Sequence, residues 1–365
     1  MNTSSTQLVK SSTELVHTTK MPNVRESDKR FFALVLFAVA ISILCAPYPY
    51  VARWVGFGFA AYAAVANDSI QTLGTFLASN KQRPWYVLWG FAAGIFLLTM
   101  TYSWVNYGGD VSYGRLASKG FEMAPASFTS LQVAAPVVLI VLTRLKMPVS
   151  TTLLLLTSFA SEMSAVSKVL TKSLSGYVLA FVLAFGLWFA MQKVFAKWFA
   201  KPMNPSWVGV QWLTTGLLWS IWLQQDAANI AVYLPRSLNP WEFIGFAGTV
   251  VVGLAWIFKN GGDKIQEVVE EKNNVTDIRA ATIIDLLYAV ILFYFKIHSQ
   301  IPMSTTWVFL GLLAGRELAI SFQSKGLSNV RTPSQAFQML SKDAKMASIG
   351  LVVSLMVAYL VNSGL

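Results

Sequence analysis

Hydrophobic positions in this chain fall into long unbroken runs. No charged residue interrupts Phe31 to Ala52, Pro84 to Gly109, Met123 to Thr143, Ser173 to Gln192 or Met346 to Leu365. Each run supplies the ~20 residues that a membrane-spanning helix needs. The runs are rich in Leu, Phe, Val and Ala and lack the ~10-residue alternation of an outer-membrane strand, so they predict helices. Residues 1–30 are polar and rich in Ser and Thr, which predicts a disordered tail. Phe31 to Ala52 is too long for a signal peptide and lacks a small-residue cleavage site, so 31–52 is expected to persist as a helix.

Four landmarks then recur in the same order. The first half carries VANDSIQTLGT at 65–75, WGFAAG at 89–94, YGGDV at 107–111 and LKMPVSTT at 145–152. The second carries QQDAANIA at 224–231, IGFAGT at 244–249, NGGDK at 260–264 and SQIPMSTT at 299–306. Asp68 to Asp110 is 42 positions and Asp226 to Asp263 is 37; Asp110 to Ser150 is 40 and Asp263 to Ser304 is 41. Each half parses as a motif-bearing helix, a second helix, a Pro-centred pair of apolar limbs and a closing helix. The first set is 54–79, 84–107, 125–165 and 173–195; the second is 206–235, 240–258, 280–321 and 346–363. The limb pair returns the chain to the side it left, so each half makes an odd number of crossings and the halves are inverted relative to each other. The expected architecture is an all-α polytopic membrane protein of two inverted-topology repeats, 54–200 and 204–365, preceded by one extra helix.

Composition agrees: 55% of the 365 residues are hydrophobic, 12% are charged, and the mean hydropathy is +0.53. A soluble domain carries about a quarter charged residues. The net charge of +11 raises nucleic acid as a partner, but its placement removes that option. With the N-terminus inside, Lys81, Arg83, Lys193, Lys197, Lys201 and Lys259 join most other basic residues on the cytoplasmic side. Only Arg53, Arg115, Lys119, Lys168, Lys172 and Arg236 fall outside. That asymmetry is the positive-inside pattern of a cell-membrane protein. The single cysteine, Cys45, excludes an intramolecular disulfide and reads as packing filler.

Two acidic residues lie inside apolar helices, where each costs about 2.5–3.5 kcal/mol on insertion scales. Asp68 stands with Asn67 and Gln71, and Asp226 with Gln225 and Asn229. A carboxylate, neutral amide oxygens and unwound backbone carbonyls make an all-oxygen cage suited to a hard cation such as sodium. The plainer alternative is a polar network that fastens helices together. Ser150, Thr151 and Thr152, like Ser304, Thr305 and Thr306, follow a proline between two limbs. One hydroxyl suffices for an N-cap. The others, with the free N–H groups of a helix start, form a candidate anion cradle. Asp285, deep in another apolar run, is a candidate for a further cation or proton site. The Gly108-Gly109 and Gly261-Gly262 pairs read as C-cap turns. Glu162, Arg316 and Glu317 read equally well as an interfacial ion pair, and Arg144 and Lys146 as snorkelling residues.

At these motifs the chain resembles the inorganic phosphate transporter (PiT) family of phosphate symporters and sulfate permeases. That family pairs GANDVANAxGT in each half with a later PxSxTH; here VANDSIQTLGT and MPVSTT, then QQDAANIAVYL and IPMSTT, stand in those places. The likeness covers about residues 54–322. It implies sodium at Asn67, Asp68, Gln71, Gln225, Asp226 and Asn229, phosphate at the two Ser-Thr-Thr runs, and a homodimer. Gln71 and Gln225 replace amides of the pattern, Leu153 and Trp307 replace its histidines, and the Gly-Pro after the second signature is missing. This sequence is therefore expected to be a divergent member, with no cofactor beyond a coupling ion.

The expected function is cation-coupled transport of phosphate by alternating access. Sulfate or another oxyanion, with proton coupling, is the alternative, and a non-transporting anion sensor a remoter one. An enzyme would need a nucleophile with a base beside it. His17 lies in the tail, His298 is the only other histidine, and no Gly-Lys-Ser/Thr phosphate loop occurs; enzymatic activity is not expected.

Overall fold

A computed structural model describes residues 24–118, 120–147, 149–159, 163–262, 277–298, 304–323 and 331–362. Among these every regular element is a helix. Residues 1–38 form a unit of their own, whose described part is the beginning of α1 (Val24–Cys45); Val39 to Leu365 form the body. Helix α1 begins inside the stretch expected to be tail. The chain then breaks at 46–48 and not near residue 53, because Pro47 and Pro49 interrupt the amide ladder and Pro49 opens α2 (Pro49–Ala64) at its first turn.

Helix α2 continues through one π-helical turn, Val65–Ser69, into α3 (Ile70–Ser79). Then come α4 (Trp85–Asn106), the short α5 (Arg115–Ser118) and α6 (Ser130–Arg144). The expected second limb of the first half is not a full helix. It consists of α7 (Thr151–Leu154) and a 3-10 turn (Leu156–Phe159), after which α8 (Met163–Phe199) absorbs both the end of the limb and the expected connection. Thr157 and Ser158 donate their hydroxyls to the Leu153 and Leu154 carbonyls, and such back-bonding competes with helix continuation.

The second half follows its expected plan more closely. Helix α9 (Ser206–Ala231) is continuous through its motif, and α10 (Pro240–Lys259) follows. Helix α11 (Ile278–Leu292) with a π turn at Phe293–His298 is the first limb, α12 (Thr305–Gln323) the second, and α13 (Pro333–Asn362) closes the half. Among the described residues five spans are long and apolar enough to cross a membrane: Trp85–Asn106, Ser173–Phe195, Pro240–Lys259, Ile278–Phe295 and Pro333–Val361. A chain with several such helices is a membrane protein.

Local geometry recurs between the halves. Gly108 and Gly109 have φ of 62° and 93°, and Gly261 and Gly262 have 71° and 92°. The second glycine of each pair donates its N–H to a carbonyl five residues back, Trp104 at 2.8 Å and Ile257 at 2.9 Å. Both are C-cap turns, as read from sequence, and only glycine adopts such pairs without strain. Packing is exchanged between halves: α8 lies along α12, while α13 lies against α6, α7 and the 3-10 turn. Helix α4 packs on α9, and α10 on α2 and its π turn. The α8–α12 approach is set by Gly311 and Gly315, where a Cβ would collide with the Tyr177 and Phe181 carbonyl oxygens.

Candidate functional site

The two motif helices and the short α7 bring the sequence-predicted polar residues into one cluster. The π turn at Val65–Ser69 adds a residue to the helical circuit just where Asn67 and Asp68 stand, and π turns gather at functional positions. Asn67 Nδ2 donates to Asp68 Oδ1 at 2.5 Å and to the Val149 carbonyl at 2.7 Å, while Gln71 Nε2 donates to Asn67 Oδ1 at 3.1 Å. Thr151 Oγ1 donates to Asp68 Oδ2 at 2.5 Å. All of this lies within the first half.

Asn229 links the second half to the first. Its Nδ2 reaches Thr151 Oγ1, Thr152 Oγ1 and Asp226 Oδ1, each at 3.0 Å. Thr306 Oγ1 adds a second crossing, donating to the same Val149 carbonyl at 3.3 Å. Asn67, Asp68, Gln225, Asp226 and Asn229 are at most 3% exposed. From Asp68 to the end of α3 at Ser79 is 11 positions, about 16 Å of helix, roughly half of a ~30 Å hydrocarbon core.

The cluster does not satisfy itself. Gln71 Oε1, Asn229 Oδ1 and both amide atoms of Gln225 are buried with no hydrogen-bond partner. A buried polar atom left this way costs about 1–3 kcal/mol. The open Gln71 and Asn229 oxygens, tied by hydrogen bonds to Asn67 and Asp226, join two carboxylates in the kind of donor set that a hard cation takes. The unwound carbonyls anticipated for the cage are absent: the first motif has only the π turn, and α9 runs unbroken through the second. Side chains here supply the oxygens, so the backbone keeps its own ladder.

Ser150 and Ser304 serve as N-caps, accepting from the Leu153 N–H at 3.3 Å and the Trp307 N–H at 3.4 Å. Neither hydroxyl has an acceptor for its own proton among the described residues, so each retains a donor. Thr305 contributes its carbonyl, which accepts from Tyr288 Oη at 2.9 Å. Asp285 does not join the cluster. Its carboxyl oxygens accept from Thr75 Oγ1 at 2.6 Å and Thr215 Oγ1 at 2.5 Å. Pro148, Glu162, Asp263, Pro302 and Met303 lie outside the described residues. Arg316 pairs with Glu317 at 2.8 Å, and Glu317 with Arg331 at 3.1 Å.

Tyr288, buried on α11, escaped the sequence reading although it stands one turn beyond Asp285; the carboxylates of both Asp68 and Asp226 act electrostatically on it. Arg115, on the short helix that packs against α9, interacts favourably with Asp226 in the same way. Among the described residues no group of three His, Cys, Asp or Glu side chains would hold a metal. Comparison with known proteins finds no family model that matches this chain, and no curated protein or solved structure that does.

Proposed function

We propose that this chain is a secondary active transporter of an inorganic oxyanion, with phosphate the first choice of substrate and sodium the first choice of coupling ion. The unsatisfied amide oxygens of Gln71 and Asn229 in a cluster with two buried carboxylates carry this proposal, and the unpartnered Gln225, next to Asp226 in the chain, adds to it. A network serving only to fasten helices satisfies its own members; this one leaves amide oxygens open. Resemblance of the motifs to the PiT family supports the same assignment, as do the matching glycine turns, the matching serine caps and the exchanged packing between halves. Those features also support an inverted-repeat architecture with the site between repeats. The basic-residue asymmetry supports a cytoplasmic N-terminus in the cell membrane.

Coupling follows from one hydroxyl. Thr151 donates to Asp68 in this structure. A cation at Asp68 takes over that charge and releases the Thr151 proton, which with Thr152, Ser150 and Ser304 can then point at an anion. Bound cation adds positive potential in a low-dielectric pocket, so each ligand strengthens the other by the same factor.

The test is uptake of labelled phosphate into proteoliposomes, with and without an inward sodium gradient and with sulfate as competitor. Asp68→Asn and Asp226→Asn are each expected to lower sodium-driven uptake roughly 10- to 100-fold, the worth of an interaction with a charged group. Wild-type uptake by both variants would remove the cation role. Preferential competition by sulfate would make sulfate the substrate.

A further inference from the structure

A file of buried and half-buried polar side chains leaves the central cluster along α3 and α9. One turn beyond Gln71 stands Thr75, facing Asp285 and Thr215. One turn further, Ser79 Oγ donates to the Thr75 carbonyl at 2.8 Å and receives Gln211 Nε2 at 2.5 Å, while Asn80 Nδ2 donates to Gln211 Oε1 at 2.9 Å. There α3 ends, next to Lys81 and Arg83.

The geometry points to Asp285 as a proton-carrying station on this file, distinct in chemistry from the cation cluster above it. This deepens the transport proposal, on which its coupling role rests. The Asp285 carboxyl meets two threonine hydroxyls, at 2.6 and 2.5 Å; with them it offers four oxygens, fewer than the six or more that a hard cation takes. The surroundings differ from the cluster in the same sense: no polar atom of Thr75, Thr215 or Asp285 is left unsatisfied.

Among the described residues no cation pairs with Asp285. On α11 itself Arg279 pairs with Asp277, and Tyr288 is taken up by Thr305. On α12, Arg316 pairs with Glu317. On the neighbouring π turn and α8, Tyr294 is exposed and His298, Lys193 and Lys197 make no ion pair with Asp285. Helix α3 has no titratable residue, and on α9 Asp226 lies 11 positions beyond Thr215. Proton uptake needs no repacking. The acid O–H donates to one threonine, whose hydroxyl turns to the carbonyl four residues back, Gln71 for Thr75 or Gln211 for Thr215.

Infrared spectroscopy of the protein in lipid tests this directly. A carboxylic-acid carbonyl band is expected that fades as pH rises, is indifferent to sodium at fixed pH, and is missing in Asp285→Asn. No band sensitive to that substitution, or one removed by sodium, overturns the assignment. Should Asp285→Asn not fold, Thr75→Val with Thr215→Val is expected to shift the band, since its partners are gone; an unmoved band counts against it equally. In proteoliposomes carrying a pH dye, phosphate entry into wild type is expected to move protons; entry without them overturns the coupling role. If wild type moves no oxyanion at all, the transport proposal fails, while the infrared result still decides Asp285.

Discussion

Replacing Asn229 by leucine separates an ion site from a helix fastener, because this one side chain both joins the halves and leaves an oxygen open. Leucine keeps the branching of asparagine but removes donors to Thr151, Thr152 and Asp226 and the unpartnered Oδ1. An amide has two protons for these three acceptors, so at most two full hydrogen bonds are lost, one of them to a carboxylate. At about 0.5–1.5 kcal/mol for a neutral bond and 1.5–3 kcal/mol for a charged one, the loss is about 2–4 kcal/mol. Thermal unfolding of purified protein in choline chloride reads that loss as a lower midpoint. The same measurement in sodium chloride reads ion binding, because a ligand of the native state stabilises by about 2.7 kcal/mol at 100 times its Kd. With one oxygen of about six gone, the sodium concentration giving half of the shift is expected to rise by roughly tenfold or more. A lowered midpoint with an unchanged sodium response would show that the network only fastens helices, and would refute the cation site.

Two further outcomes test the frame around the site. Gly315→Leu is expected to lower the thermal midpoint by the equivalent of about 1–3 kcal/mol or more, since its side chain would meet the Phe181 carbonyl of α8; an unaltered midpoint would mean that α8 and α12 do not approach this closely. Asp277 caps α11 through the Arg279 N–H at 2.8 Å. Burial by itself would raise its carboxyl, but hydrogen bonds from the Arg279 side chain and backbone, the Arg279 charge and the Ala280 amide hold it below the ordinary 3.8. A depressed carboxyl stabilises fully above its unfolded value, and that share is lost as pH falls through the folded one. The midpoint is therefore expected to fall more steeply in wild type than in Asp277→Asn between about pH 5 and pH 3; parallel curves would contradict the ion pair.

Much of the candidate site was legible because intramembrane carboxylates and amides are costly enough to be conspicuous. Asn67, Asp68, Asp226 and Asn229 were singled out by that cost, Thr151 and Thr152 by being more hydroxyls than a helix cap needs, and they converge. The glycine turns were legible for a related reason, since paired positive φ values admit little else. Tyr288, Thr75 and Thr215 were not, because a hydroxyl in an apolar run costs little and its partner is set by a neighbouring helix. The failure of the first half's second limb was also hidden. Leu153 to Phe159 is apolar enough to continue a helix, and only its burial among α6, α13 and the motif helices, with Thr157 and Ser158 turned onto their own backbone, ends it.

The sequence by itself determined what each segment could not avoid: apolar runs had to become helices in a membrane, glycine pairs had to turn, and buried acids had to be answered by something polar. Which groups answer which acid was decided only by the tertiary structure. It gave Asn67 and Thr151 to Asp68 and Asn229 to Asp226, and it closed Asp285 between two threonines. Hydrogen-bond partners depend on distances of a few tenths of an ångström between helices far apart in the chain, and no local pattern of residues specifies those distances.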